Sequence, residues 1–488
     1  MDTHSSDPGM ARKPDDLTVA CYSFPHFHRS ALNDRLYGPG WTEYVLVRGA
    51  RPWFPGHHQP RQPLLGNLDE REPATWERYN ALAADYGVDV FIWDWYWYGD
   101  EPVLHEALDE GFLRSSNHER VRFALMWTNH TWTLQYPTVH GDGANSRPFS
   151  YDPPQRPEQV WQSISYMIAR YFHQPTYWRI DGAPVLVIYE AQRLRDTFGI
   201  AGTRQLLVEL RAFARKLGHA GIHVHASHGS LPVFGDLEAM GFDSYGLYSP
   251  ILLAAERRPP EEELPAYGDV AADVARDLWP RVDALSPLPC FPAVSPGWDT
   301  TPRRVVPRAR TTPPNRETWP VTTIVVDETP AAFEALIRAG FAYLNERPGI
   351  PPVLTIGCWN EWTEGQYLLP DTRLGFGMIE ALARALGRDL PPHVAFTSPL
   401  DDHSHLTRGQ RQRMEEEEND ATRRVLAGHE AGGREGVQTP ARRDLAGDDG
   451  GPARGRDAQL QHLPARRATV RLLRGRRLGG VAALPGGE

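Results

Sequence analysis

The chain of 488 residues is 41% hydrophobic and 23% charged, an ordinary globular composition with room for one large domain or a few smaller ones. Its formal net charge of −10 weighs against nucleic acid or an anionic membrane surface as a partner, and no apolar run reaches the roughly 18 residues of a membrane helix. Cys21, Cys290 and Cys358 each fall in a predicted strand and read as buried free thiols; with no apolar signal region in residues 1–16, the expectation is a cytoplasmic protein with a short disordered leader.

The first predicted strand, TVACYSF (18–24), runs into PHFHRSALNDRLYGPGWTEY, which carries neither G-x-G-x-x-G nor a Walker sequence. Further strands follow as VDVFIWDWYW (88–97), RFALMW (122–127), PVLVIYE (184–190), IHVHAS (222–227), FDSYGLY (242–248), CFPAVSP (290–296) and VLTIGCW (353–359). Most are continuous apolar or β-branched runs, the pattern of strands covered on both faces. Helical patterns separate them: PATWERYNALAADYG, PEQVWQSISYMIARYF, GTRQLLVELRAFARKLG, AADVARDLWPRVDAL and TPAAFEALIRAGFAYLNE, with RLGFGMIEALARALG after the eighth strand. The second and sixth units have the weakest helix patterns. Eight strands with interleaved helices predict an α/β fold, a (β/α)8 TIM barrel with long βα loops, over residues 17–400. A doubly wound sheet would place a glycine-rich phosphate loop after strand one, and none is there. From about residue 408 the composition turns to Arg, Gly, Ala, Asp and Pro with few aromatics, so residues 401–488 are expected to be a low-complexity, disordered tail.

In a barrel of this kind, chemistry gathers at the C-terminal ends of the strands. Beyond strand eight stand Trp359, Asn360, Glu361, Trp362, Thr363 and Glu364. On a straight strand, residues three apart face opposite sides. If the chain turns after Trp359, Glu361 and Glu364 share one cavity, and desolvation plus mutual repulsion would raise one carboxyl, leaving an acid and a base of the kind that cleaves glycosides. In strand two, Trp93, Trp95 and Trp97 share a face suited to the helix seam, which leaves Asp94 and Tyr96 for the upper interior, where they would bond sugar hydroxyls. Strand three ends with Trp127, Asn129, His130 and Trp132, and strand seven is followed by Trp298 and Asp299. Stacking faces beside directional hydrogen-bonding groups suit a polyhydroxylated ligand. His26 and His28 (H-x-H) with His223 and His225 resemble metal-ligand spacing, but strands six and eight lack the histidine and aspartate that an amidohydrolase-type site needs, so no metal is expected.

The segments YSFPHFH, NDRLYGPGWTEY, RPWFPGHHQPRQP, YGVDVFIWDWYW, MWTNHTW, PGWDTTPRR and WNEWTEGQYLLPD, in that order between residues 18 and 390, resemble the glycoside hydrolase family 99-like group, often labelled WbsX. Its members occur in bacterial polysaccharide loci and have been called both glycosyltransferases and hydrolases. The resemblance implies a (β/α)8 barrel and a mechanism without metal or cofactor. It implies that Glu361 takes the proton of the sugar 2-hydroxyl as that oxygen attacks the anomeric carbon, and that Glu364 serves as acid and then base. It also implies that His28, Trp41, Glu43, His57, Gln59, Arg61, Tyr96, Trp97, Trp127, Asn129 and Asn360 line or brace the sugar pocket, and Tyr367 joins the expected substrate-binding residues. The group commonly has Glu where this chain has His130, and His where it has Trp95. The resulting expectation is a retaining, endo-acting α-glycoside hydrolase of a bacterial polysaccharide or oligosaccharide. The alternatives are a glycosyltransferase or transglycosidase of O-antigen-type biosynthesis and a non-catalytic carbohydrate-binding protein.

Overall fold

The computed structural model describes residues 16–133, 150–227, 231–259, 264–303 and 323–391. The expected tail at 401–488 and all but the last residue of the leader at 1–16 lie outside the described residues. Eight strand positions form a nearly closed parallel barrel: β1 (Thr18–Ser23), β2 (Val90–Tyr98), β3 (Arg122–Trp127), β4 (Ala183–Ile188), β5 (His223–Ala226), β6 (Ser244–Gly246), β7 (Cys290–Phe291 and Ala293–Val294) and β8 (Val353–Ile356). The order around the ring is the order in the sequence, and β8 returns to pair with β1, Thr18 opposite Val353.

The near-continuous apolar strands follow from being covered on both faces. All nine residues of β2 are buried. Its outward tryptophans pack into the helical layer: Trp93 on Trp76 and Phe112, Trp95 and Trp97 on Tyr166. Strand β7 is split at Pro292, which has no N–H to give to a ladder. Its first half pairs with β6 and its second with β8, and the Pro292 carbonyl still accepts from Thr355 N–H at 3.0 Å. The sequence reading took 290–296 as one strand; the proline inside it is why the strand comes in two pieces.

The main covering helices are α1 (Pro73–Tyr86), α2 (Pro157–Tyr171), α3 (Ala191–Lys216), α4 (Pro330–Asn345) and α5 (Gly377–Ala385). Proline at the first turn of α1, α2 and α4 supplies a preset φ where no N–H is needed. Helix α1 stops at Gly87, whose φ of 105° lies in the left-handed region that favours glycine. The second unit has only short π and 3-10 turns (Ala107–Gly111, Phe112–Arg114), as its weak pattern indicated. The connection from β5 to β6 is likewise reduced to Leu237–Met240, while the sixth unit, read as weak, carries Tyr267–Asp273 continuing through a π turn into Trp279–Asp283. No helix among the described residues is long and apolar enough to cross a membrane.

Candidate active site

A cavity of about 510 Å³ opens at the C-terminal ends of the strands. Phe24 and His26 come from beyond β1, Asp94 and Tyr96 from β2, and Thr128, His130 and Trp132 from beyond β3. Tyr189 and Glu190 follow β4, Tyr248 follows β6, Trp298 and Arg303 follow β7, and Glu361 and Glu364 follow β8.

The two glutamates meet because the chain turns where the sequence reading required it. After β8, Asn360–Glu361 pairs antiparallel with Gln366–Tyr367, and a single 3-10 turn, Trp362–Glu364, closes the hairpin. Gly365 ends the turn at φ 67°, where a side chain is strained and would crowd the Asp299 backbone nitrogen, 3.0 Å from the Cβ position. Trp362 stacks on Tyr367 with ring centroids 4.0 Å apart and seals the hairpin from behind.

One guanidinium joins the acidic groups. Arg303 Nη2 donates to Glu361 Oε1 at 3.0 Å, Nη1 to Glu364 Oε1, and Nε to Thr363 Oγ1 at 2.9 Å and Glu43 Oε1 at 3.2 Å. Tyr248 O–H donates to Glu361 Oε2 at 2.7 Å, and Gln366 Nε2 donates to Glu364 Oε2 at 3.2 Å. Burial, with the charge of Glu364 next, pushes the Glu361 carboxyl up to about 8 against the pull of Arg303 and Tyr248. Burial also works against ionisation of Glu43, but Arg303 and the hydrogen bond from His26 outweigh it and hold that carboxyl at about 2. Asp94 is 6% exposed, and among the described residues its Oδ1 has no hydrogen-bond partner. Burial first, then the charges of Glu361 and Glu364, raise its carboxyl well above the usual range.

Of the residues picked from the sequence, Glu361, Glu364, Asp94, Tyr96, His130, Trp132 and Trp298 line the cavity. Glu43 lies behind it, tied to Arg303 and to Thr363 Oγ1 at 2.5 Å. His57, Gln59 and Arg61 sit away from the cavity on Asp299. His57 Nδ1 accepts from Trp53 N–H at 3.0 Å, so its Nε2–H donates to Asp299 Oδ2, also at 3.0 Å. Gln59 reaches the same oxygen at 2.6 Å and Arg61 at 3.5 Å. Asp299 in turn donates its backbone N–H to the Glu364 carbonyl at 2.6 Å, so this network braces the turn that carries the two glutamates. Asn360 braces it from β1, donating to the Phe24 carbonyl at 2.8 Å and to Glu70 at 2.6 Å, and accepting from Phe24 N–H at 2.8 Å. Tyr367 bonds Asp371 at 2.6 Å, and Asn129 ties the loops after β3 and β4 through the Glu190 backbone. Trp127 is buried outside the cavity lining, Trp41 stacks on Tyr37 in a small separate core, and His28 faces Glu106 at 3.4 Å.

The histidine pairs divide in the same way. His26 lies 3.2 Å from Glu43, whereas His28 meets Glu106; His223 and His225 both bond Ser244 Oγ. No group of three His, Cys, Asp or Glu side chains among the described residues comes together in a ligand arrangement. Reading from the sequence missed Arg303, Tyr248 and Tyr189 as site residues. Arg303 lies within the PGWDTTPRR segment and Tyr248 at the end of strand six, but nothing local marks an arginine that reaches across to another loop.

The sequence pattern of the family described as "Glycosyltransferase WbsX" matches residues 18–382. The chain belongs to the WbsX family. Two curated relatives, each named "Uncharacterized protein WxcX", from two strains of Xanthomonas campestris pv. campestris, are 28% identical over 388 residues, which make up 78% of this chain and 50% of theirs. This WbsX chain thus spans about half the length of the curated relatives it matches. A solved "Glycoside hydrolase-like protein" is 12% identical, with a TM-score of 0.51 over 79% of this chain and 97% of its own, a likeness of fold. The GH99 endo-α-mannosidase of Bacteroides thetaiotaomicron is 15% identical, with a TM-score of 0.46 over 76% of this chain and 97% of its own.

Proposed function

We propose that this WbsX-family chain is a carbohydrate-active enzyme that cleaves an α-glycosidic bond within a bacterial polysaccharide or oligosaccharide, with retention at the anomeric carbon. The observation that carries the reading is the pair Glu361 and Glu364, presented by one turn into one cavity and held on one guanidinium, with the Glu361 carboxyl raised to about 8. A carboxyl raised by burial beside a second carboxyl gives the site a group that holds a proton at neutral pH, which a glycosidase needs.

In the roles the family resemblance implies, Glu364 gives a proton to the leaving oxygen while the 2-hydroxyl, yielding its proton to Glu361, closes on the anomeric carbon. Water then opens the 1,2-anhydro ring; Glu364 takes the proton of the water and Glu361 returns its proton to the 2-oxygen. The raised Glu361 carboxyl carries a proton at neutral pH, and Glu364 Oε1 accepts from Arg303. A 2-hydroxyl donating to Glu361 favours its ionised form and moves that proton to Glu364. Around this centre, Tyr96, Trp132 and Trp298 supply faces for sugar rings, and Asp94 a hydrogen-bonding group.

The description of the family favours a second reading, in which an acceptor hydroxyl takes the place of water and the same pocket transfers a glycosyl group. A nucleotide-sugar donor is disfavoured by charge: among the described lining residues, Glu190, Glu256 and Glu364 stand beside the single arginine Arg303, and the raised carboxyls Asp94 and Glu361 add no positive charge. The test is incubation with α-linked bacterial glycans in H₂¹⁸O, with and without acceptor oligosaccharides, and separately with nucleotide sugars. ¹⁸O at the new reducing end supports hydrolysis. Products extended on the acceptor, or consumption of nucleotide sugar, would replace it with transfer.

A further inference from the structure

Three carboxylates converge on Arg303, and they differ. Glu43 is fully buried and fixed: His26 lies 3.2 Å away, Thr363 Oγ1 donates to it, and it is held ionised at about 2. It fastens the guanidinium by Nε and Nη2 at 3.2 and 3.1 Å. The two remaining directions of the planar fork then point at Glu361 and Glu364, and the Phe24 ring lies 5.4 Å beneath the guanidinium carbon. A fork has fixed angles, so an arginine anchored at one end dictates where its other partners sit.

We infer that Arg303 is the positioning residue of the glutamate pair: clamped by Glu43, it sets the separation of Glu361 and Glu364 and gives both carboxyls the one Lys or Arg charge among the described lining residues. This rests on the reading of the pair as the acid–base machinery. Without the cation, two carboxyls in one desolvated cavity would each favour the protonated form, and the pair would idle with two protons. The other titratable groups facing Arg303 do not replace it. His26 and His130 are both lowered by burial, away from the charged form, and Asp94 is itself a carboxyl raised by burial.

The sign follows directly. Removing a positive charge favours protonated carboxyls, so both limbs of a bell-shaped pH profile move to higher pH, by about one to three units for an opposite charge in contact. Arg303→Met is the direct variant. Because it leaves Glu43 buried without its cation, Arg303→Lys and the charge-balanced Glu43→Gln/Arg303→Met pair are measured alongside. Two readouts separate this inference from the proposed function: the pH profile of kcat/KM on a cleaved glycan, and the infrared titration of the protonated carboxyl band, assigned with Glu361→Gln, which needs no turnover. Expected are an upward shift of at least one unit in the band and in both limbs for Arg303→Met and for the double variant, at least a tenfold loss of kcat/KM at pH 7, and a shift less than half as large for Arg303→Lys. A band that titrates within 0.3 units of wild type in the folded variants overturns the inference, even for an active enzyme. The shifted band with no glycan cleaved by wild type would leave the inference standing and sink the proposed function.

Discussion

Asp299 makes the sharpest claim about how the site is held. Its carboxylate is fully buried and takes hydrogen bonds from His57, Gln59 and the Thr301 backbone, with Arg61 at 3.5 Å. In Asp299→Ala the His57 and Gln59 donors and the Thr301 N–H lose their acceptor at once, while Arg61 keeps Glu328 at 2.9 Å. Each buried donor left unpaired costs about 1–3 kcal/mol, but neighbours in one network do not add. Breaking a buried charged pair costs about 3–5 kcal/mol, which is the loss expected at pH 7. The pH dependence has a definite sign. Burial opposes ionisation, yet the His57 hydrogen bond and Arg61 hold the folded-state carboxyl well below the usual range. Its stabilisation is therefore present above the unfolded-state value of about 4 and is lost as pH falls toward the depressed folded-state value. Urea or thermal melts of wild type and Asp299→Ala from pH 8 to pH 3 should show a gap that is constant above about pH 5 and narrows below about pH 4. A gap under about 1 kcal/mol at pH 7, or one that does not narrow in acid, would refute the bracing role.

Two further variants address the cavity and its support. Asp94→Asn keeps a donor in place of the neutral carboxyl and should hold a bound oligosaccharide within a few-fold of wild type by calorimetry, whereas Asp94→Leu should weaken it about tenfold, the worth of one hydrogen bond; equal affinity in both would remove Asp94 from the binding set. Glu70, buried beneath Asn360, is pushed up by burial to about 8. A carboxyl raised in the folded state costs stability as pH climbs from its unfolded value of about 4.3 toward its folded value of about 8, so Glu70→Gln should stabilise the protein by about 2–4 kcal/mol at pH 7 and flatten the decline across that window. A variant no more stable than wild type at pH 8 would contradict that placement of the proton.

The barrel was readable because its strands must be apolar on both faces, and β3 and β4 announce this with continuous hydrophobic runs after their first residues. The alternation in FIWDWYW also separated Trp93, Trp95 and Trp97 for the helices from Asp94 and Tyr96 for the cavity, since period two leaves no other arrangement. Glu361 and Glu364 were legible as a pair because they share one turn. What the sequence conceals is contact between loops. Arg303 reaches Glu43, 260 residues earlier, and Tyr248 reaches Glu361 across the ring. No local pattern distinguishes those side chains from neighbours such as Tyr245, which is buried against the Val282 carbonyl. His57 and Gln59 were found by resemblance, but their place on Asp299 and not in the cavity depends on how the loop after β1 folds under the loop after β7.

The most direct test of the central claim is digestion of a panel of α-linked bacterial glycans by wild type, Glu361→Gln and Glu364→Gln, with the anomer of the first product followed by NMR. The account predicts cleavage by wild type with the α-anomer formed first, and at least a thousandfold loss in each variant while glycan binding persists. Cleavage that survives in either glutamine variant, or a β-anomer as first product, would contradict it.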